Sequence, residues 1–281
     1  MRKVLITGAN GQLGRELTKQ LRDKKVELIL TDTGELDITK SSVVYFKLKD
    51  IKPDIIINCA AHTAVDKCET QKDLAYKINA IGSKNLAQAA YSIGAELVQV
   101  STDYVFDGEG IKPITEFDCP NPQSVYGSSK LQGEILVREL NPKSYIVRTG
   151  WLYGEGNNFV KNIINLSKTN ESLKVVNDQF GTPTSTVDLS KVIIKLIEEK
   201  NYGTFHCTCK GETTWYDFTK EIFRLKGINT GLIPCTTDEF PRPAKRPKYS
   251  VLQNYMLELT TGDITRNWEE AIKEYLEKLH I

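Results

Sequence analysis

Neither sign of charge dominates this sequence: 37 Lys and Arg stand against 36 Asp and Glu, a formal net charge of +1 over 281 residues. Nucleic-acid and anionic-membrane binders draw on a basic excess, so both classes lose ground, and no nucleic-acid or membrane partner is expected. Long apolar runs are missing too, and none approaches the roughly 18 residues of a membrane span. The opening MRKVLITGANG has a basic start, but its apolar run is too short for the core of a signal peptide and is expected as a first strand. Histidines number 3, and the 6 cysteines include no C-x-x-C pair. Cys207 and Cys209 stand two apart in FHCTCKG; on a strand both would share one face, with His206 on the other. Too few ligands gather there for a metal, so the pair is expected as small buried hydrophobes. Cysteines scattered in this way point to a reducing, cytoplasmic compartment. There is no internal repeat and no low-complexity tract. The Pro-rich basic stretch PRPAKRPKYS (241–250) is expected as a solvated or ligand-facing loop.

What the chain does have is a regular alternation. KVLIT (3–7), VELILT (26–31), DIIINCA (54–60), ELVQVST (96–102) and SYIVRTG (144–150) have the short apolar pattern of strands. Helix-like segments fall between them, near 12–24, 39–50, 71–92 and 124–139. Strands this continuously apolar suit a parallel sheet covered on both faces. After Trp151 the rhythm loosens, with helices expected near 157–169, 186–200, 214–226 and 267–279. The length suits one large α/β unit or such a unit with a smaller one appended.

The loop ITGANGQLGREL lies between the first strand and the first helix, with Gly8, Gly11 and Gly14 spaced G-x-x-G-x-x-G. A tight turn, a bare backbone for a pyrophosphate and a close helix–strand contact all ask for glycine. The helix N-terminus then offers free N–H groups and a positive dipole end to phosphate. Glycines alone are a weak signal; the strand before and helix after supply the context that a dinucleotide site needs. Asp32 ends the second strand, placed to bond adenosine ribose hydroxyls and to repel a 2′-phosphate, with no Arg or Lys beside it in LTDTGEL. NADH is therefore favoured over NADPH, although Lys40 could reach in from the next helix start.

Three tyrosines have a lysine four residues later: Tyr45 with Lys49, Tyr126 with Lys130, and Tyr216 with Lys220. A carbonyl reductase needs a phenol as proton donor, an ammonium one helical turn away to lower its pKa, and a hydroxyl at a neighbouring strand end. Only Tyr126 follows a strand ending in Ser101-Thr102. The same count back from Tyr45 or Tyr216 falls inside a helix, so those pairs are expected as ordinary helix positions.

With these segments in hand the chain resembles the dTDP-4-dehydrorhamnose reductase family of extended short-chain dehydrogenase/reductases. The resemblance is carried by ITGANGQLGREL, NCAAHTAVDKCE, STDYVFDG, YGSSKLQGE, RTGWLYG, VNDQFGTPT and RPKYSVLQN. NCAAHTAVDKCE, STDYVFDG and DQFGTPT are specific to this group. Tyr255-Met256 departs from it, standing where a more polar pair is expected. The resemblance implies an α/β fold with a doubly wound parallel (Rossmann) sheet. Residues 1–150 would bind NAD(P), and 151–281 would mainly form a smaller substrate-binding domain, with some segments returning to the first.

It implies residue roles as well. The cofactor would lie over Gly8, Gly11, Gln12, Leu13 and Gly14, with Asp32 on the adenosine ribose and Asp37 and Ile38 beside the adenine. Ala60, Ala61, His62 and Thr63 would line its middle, and Tyr126 and Lys130 its nicotinamide end. Thr102, Tyr126 and Lys130 would be catalytic, with Asn79 steadying the site. Val65, Thr102, Asp103 and Trp151 would meet the sugar, and Arg246 the diphosphate. Some relatives dimerise around Mg²⁺; Glu16 stands at one such position, but the other ligands have no match, so no metal is carried over. The expected protein is a cytoplasmic monomer or homodimer acting on a nucleotide sugar. NAD(P)H would give hydride to C4 of dTDP-4-dehydrorhamnose, and Tyr126 the proton. A reductase of a different nucleotide 4-keto-sugar, or a non-catalytic NAD(P)-binding regulatory subunit, are the competing readings. A dehydratase is disfavoured because Tyr104, not a second acid, follows Asp103.

Overall fold

A computed structural model describes residues 1–279. The first half alternates strand and helix: β1 (Arg2–Thr7), α1 (Gln12–Arg22), β2 (Val26–Thr31), α2 (Ser41–Ile51), β3 (Ile55–Asn58), α3 (Val65–Thr70), α4 (Lys72–Tyr76), α5 (Ser83–Ile93), β4 (Glu96–Thr102), α6 (Val125–Leu140) and β5 (Ser144–Thr149). The second half uses shorter pieces: β6 (Leu152–Tyr153), α7 (Phe159–Ser167), β7 (Ser172–Val176), β8 (Phe180–Gly181), β9 (Thr184–Ser185), α8 (Thr186–Glu199), β10 (Gly203–His206), β11 (Thr213–Thr214), α9 (Trp215–Lys226), β12 (Gly231–Cys235), α10 (Tyr255–Leu259) and α11 (Trp268–Glu277).

Six strands form one parallel sheet in the order β10-β5-β4-β3-β1-β2. Successive side chains of a strand point to opposite faces. Val4, Ile6, Ile55, Ile57, Val98, Tyr145 and Val147 pack under α1 and α8. Leu5, Ile56, Leu97 and Ile146 pack against α2 and α5 on the other side. Each such side chain contributes about 1.5–3 kcal/mol on full burial, so the near-continuous apolar strands commit the sheet to helices on both faces. The fold is the doubly wound α/β sheet that the alternation predicts. The strand order reverses between β1 and β3, which opens a crevice at the C-terminal ends of the strands.

α8 and β10 follow Trp151 in the chain yet complete this layer, α8 covering one face and β10 pairing with β5. α10 joins the same core through Leu257, whereas β6, α7, β7, α9, β12 and α11 contribute to a separate cluster built on Tyr153, Phe218, Ile222, Trp268 and Ile272. Residues 241–250 run as an irregular segment with one isolated bridge, Tyr249 to Phe180.

Two local expectations change. The single helix expected over 71–92 is interrupted by a π-helical turn at Lys77–Gly82, which inserts an extra residue and carries the buried Asn79. Cys207 and Cys209 do not share a face, because β10 ends at His206. Cys207 enters the core beneath the sheet, while Cys209 joins the C-terminal cluster.

Candidate active site

The glycine loop forms a cradle at the end of β1. Gly8 has φ +63°, and a Cβ there would lie 2.8 Å from the Ala60 backbone nitrogen. A Cβ on Gly14 would lie 2.7 Å from Ala9 Cα. Only bare backbone allows the turn, the exit of β3 and the start of α1 to meet this closely. No side chain caps α1 at Gly11, so its first N–H groups remain available to an anion. Gln12 Oε1 is buried beside them with no hydrogen-bond partner. The bare cradle and the uncapped helix end fit a diphosphate-bearing dinucleotide, while Gln12 Oε1, an acceptor, can be satisfied only by a donor such as a ribose hydroxyl.

Beneath the cradle, polar side chains tie the strand ends together. Thr7 Oγ1 donates to Asn58 Oδ1 at 2.6 Å, and Asn58 Nδ2 donates to Gln99 Oε1 at 2.8 Å. The Ala60 N–H also reaches Asn58 Oδ1 at 3.2 Å. The loop Ala60–Thr63 is thus pinned to the sheet. Asn79 pins it from the other side: its Oδ1 accepts the His62 N–H at 2.8 Å, and its Nδ2 donates to Ser129 Oγ on α6 at 3.0 Å. The π-helical turn brings this amide between the loop and α6.

At the far end, Asp32 accepts the Thr33 N–H at 2.8 Å and the Asn10 N–H at 3.3 Å. Its carboxylate is held in place at the tip of β2. Lys40 pairs with Asp37 at 3.5 Å rather than reaching toward Asp32. The Thr39 hydroxyl, helped by the Thr39 N–H and by Lys40, holds the Asp37 carboxyl below its ordinary value against the opposing effect of burial.

α6 supplies Tyr126 and Lys130. Ser124 caps it, accepting the Gly127 N–H at 3.1 Å, and so fixes where Tyr126 begins the first turn. The Tyr126 ring is 9 % exposed and meets Tyr104 edge to face, with centroids 5.5 Å apart. Burial pushes its phenol above the ordinary value, and the Thr102 hydroxyl pulls the other way. Lys130 donates to the Val100 carbonyl at 2.6 Å. Burial brings its ammonium down to about 8, against the opposing pull of Glu134. The phenol is therefore not lowered in this arrangement, contrary to the sequence-based expectation for the Lys130 charge. Thr102 Oγ1 donates to Asp103 Oδ1 at 2.9 Å. Desolvation raises the Asp103 carboxyl to about 6, although the Ser250 and Thr102 hydroxyls pull it down. Ser250 also lies 3.4 Å from the Phe180 carbonyl, and Asp103 Oδ2 is left buried with no hydrogen-bond partner.

These parts line one cleft of about 910 Å³. Gly8, Gly11, Gln12, Leu13, Gly14, Asp32, Asp37, Ile38, Ala60, Ala61, Thr63, Val65, Thr102, Asp103, Tyr126, Lys130 and Trp151 all face it. His62 and Arg246 do not. The His62 ring meets Gln71 Oε1 at 3.1 Å, and Arg246 pairs with Asp66 at 2.9 Å on the flank of α3. Glu16 accepts from Gln20 at 2.7 Å. Tyr45 and Tyr216 lie outside the cleft: Lys49 sits over the Tyr45 ring at 5.7 Å, and Tyr216 packs on the C-terminal cluster. The sequence reading also missed cleft residues, among them Cys59, Tyr104 and Thr149. It missed the fully buried ion pair below them, Glu134 with Arg148 at 2.8 Å, where Ser101 also donates to Glu134. Glu134 lies one helical turn beyond Lys130, in YGSSKLQGE, so its signal was present in the spacing.

The family model described as RmlD substrate binding domain matches residues 1–281. A dTDP-4-dehydrorhamnose reductase structure from Clostridium acetobutylicum ATCC 824 is 70 % identical, with a TM-score of 0.97 and 98 % of each chain covered. The enzyme of the same name from Bacillus anthracis str. Ames, solved in complex with NADP, is 45 % identical, with a TM-score of 0.97, covering 99 % of this chain and 100 % of that one. The dTDP-4-dehydrorhamnose reductase of Aggregatibacter actinomycetemcomitans is 41 % identical over 287 residues, 97 % of this chain and 98 % of the relative. With the cradle, the Tyr–Lys helix and the strand-end threonine in one cleft, these likenesses show that the chain belongs to the dTDP-4-dehydrorhamnose reductase family of extended short-chain dehydrogenase/reductases.

Proposed function

We propose that this chain reduces the 4-keto group of dTDP-4-dehydro-6-deoxy-L-mannose (dTDP-4-dehydrorhamnose) to give dTDP-L-rhamnose, using NADH or NADPH. The observation that carries the reading is the meeting of Thr102, Tyr126 and Lys130 with the glycine cradle in a single cleft. A bound nicotinamide supplies the hydride. Tyr126 Oη donates the proton to the oxygen on C4. The burial that raises the phenol keeps it protonated and loaded until the substrate oxygen becomes basic. The phenolate left behind then needs positive charge nearby, and Lys130, four residues on along α6, supplies it. Thr102 orients the C4 oxygen at the end of β4. Asp103 Oδ2 accepts a sugar hydroxyl, which gives that orphaned atom a partner. Trp151 and Val65 form apolar walls for the deoxy sugar.

The cradle, Gln12 and Leu13 hold the cofactor's diphosphate, Asp32 its adenosine ribose, and Asp37 and Ile38 border its adenine. Ala60, Ala61 and Thr63 flank its middle, while the His62 backbone is bonded to Asn79 instead. Arg246 would have to leave Asp66 to meet the substrate diphosphate. The segments after Trp151 that stay outside the sheet form the substrate-binding part. NADH is favoured, because the Asp32 carboxylate is held at the tip of β2, where this reading puts the adenosine ribose, and Lys40 is occupied by Asp37. All 6 cysteines are free, as a reducing cytoplasm leaves them. The test is NADH and NADPH oxidation with dTDP-6-deoxy-L-lyxo-4-hexulose, followed by product identification. Formation of dTDP-L-rhamnose is expected; binding of the dinucleotide with no turnover would instead support a regulatory subunit.

A further inference from the structure

At the lip of the cleft Trp151 has φ +48°, a left-handed conformation that is costly for a residue with a Cβ. Such a conformation persists only where the surroundings over-determine it. Three contacts do so here. The Trp151 carbonyl accepts the Thr184 N–H at 3.2 Å. The Trp151 indole lies flat against that of Trp215, with ring centroids 3.5 Å apart and planes within 5°. Gly181 passes so close that a Cβ there would lie 2.5 Å from Trp151 Nε1.

A directly superposed parallel pair is not the arrangement that ring quadrupoles favour; offset or edge-to-face contacts are. The stack is therefore imposed by what surrounds it. Phe159, at the start of α7, backs Trp215 with centroids 4.4 Å apart. Both Phe159 and Trp215 pack on the C-terminal cluster. That cluster thus extends through Trp215 to Trp151, which lines the cleft, while Trp215 itself does not.

We propose that Trp215 and Gly181 are specificity-determining positioning residues, which together fix the Trp151 indole as the apolar wall for the deoxy sugar. The inference rests on the function proposed above, because it takes the occupant of the cleft to be a nucleotide 4-keto-sugar. Trp215 supplies the flat backing, and Gly181 leaves the space that the indole fills. Neither touches the reacting atoms, so each acts through Trp151 and on the sugar alone.

The test compares wild type with Trp215→Leu, Trp215→Phe and Gly181→Ala. Two signals are read: the coupled-indole band in far-ultraviolet circular dichroism, and the KM values for sugar and for NADH taken separately. Wild type should show the coupled band. Trp215→Leu should lose it and raise the sugar KM roughly tenfold, the scale of one well-placed apolar contact, with the NADH KM unchanged. Trp215→Phe should also lose the band yet keep the sugar KM near wild type, because a ring still backs Trp151. Gly181→Ala should reproduce the sugar effect with Trp215 intact; if it does not fold, the two Trp215 variants decide the matter. Normal wild-type turnover with an unaltered sugar KM in Trp215→Leu would overturn this inference alone. So would parallel losses for sugar and cofactor, which mark general damage. Absence of wild-type turnover on the 4-keto sugar would overturn the proposed function and this inference together.

Discussion

Replacing Asp103 by Asn should stabilise the protein while impairing its work on the sugar. In the native state Asp103 is 2 % exposed, and desolvation raises its carboxyl from the ordinary value of 3.8 to about 6. A rise of this size makes the charged form cost on the order of 3 kcal/mol in the native state, the net of desolvation and the opposing Ser250 and Thr102 hydroxyls. The sign follows from proton counting. Between pH 3.8 and about 6 the native state holds the proton that the unfolded state has released. Stability from this group is therefore fully present below pH 3.8, is lost as pH rises through about 6, and stays lost above that. Asn carries no charge at any pH. Urea unfolding at pH 5 and pH 8 should show the Asn variant gaining on wild type as pH rises, by about 1–3 kcal/mol at pH 8. At the same pH, kcat/KM for the sugar should fall, because an amide cannot replace the carboxylate as a hydroxyl acceptor on both oxygens. A stability difference that does not change with pH would show that the Asp103 carboxyl is not raised by burial, and the reasoning would fail.

Tyr126→Phe should cut turnover by about 10²–10⁴-fold, since a general acid is lost, while NADH binding followed by fluorescence titration stays intact; Tyr45→Phe and Tyr216→Phe should behave as wild type. Wild-type turnover in Tyr126→Phe would remove the proton donor assigned here. Asp32→Ser should move the kcat/KM ratio toward NADPH. Like charges close together near a surface cost on the order of a few kcal/mol, and the serine removes that repulsion; a ratio that does not move would mean that Asp32 does not read the ribose. Arg148→Met should leave the buried Glu134 carboxylate with the Ser101 hydroxyl but without its ion-pair partner, at a cost of about 3–5 kcal/mol, measured by denaturant unfolding. A loss under about 1 kcal/mol, the scale of an exposed pair, would show that water reaches Glu134.

The amino-acid sequence alone carried the sheet and its two helical layers. Local apolar runs such as IIIN at Ile55–Asn58 have one stable disposition, between two covered faces, and the capping and glycine signals are local as well. It also pointed to Tyr126, which lines the cleft, over Tyr45 and Tyr216, which do not, because the strand-end Thr102 lies a readable distance before it. Contacts between distant segments were beyond it. Some segments after Trp151 were expected to return to the first domain, but that these would be α8 and β10, that an extra residue at Lys77–Gly82 would turn Asn79 onto His62 and Ser129, and that Arg148 would meet Glu134 all depend on packing across the chain. Arg246 shows the same limit, since nothing near it in sequence announces Asp66 as its partner. The electrostatics changed most. Spacing placed Lys130 one turn from Tyr126 and predicted a lowered phenol, but burial is a property of the folded surroundings, and here desolvation raises the phenol against the pull of the Thr102 hydroxyl.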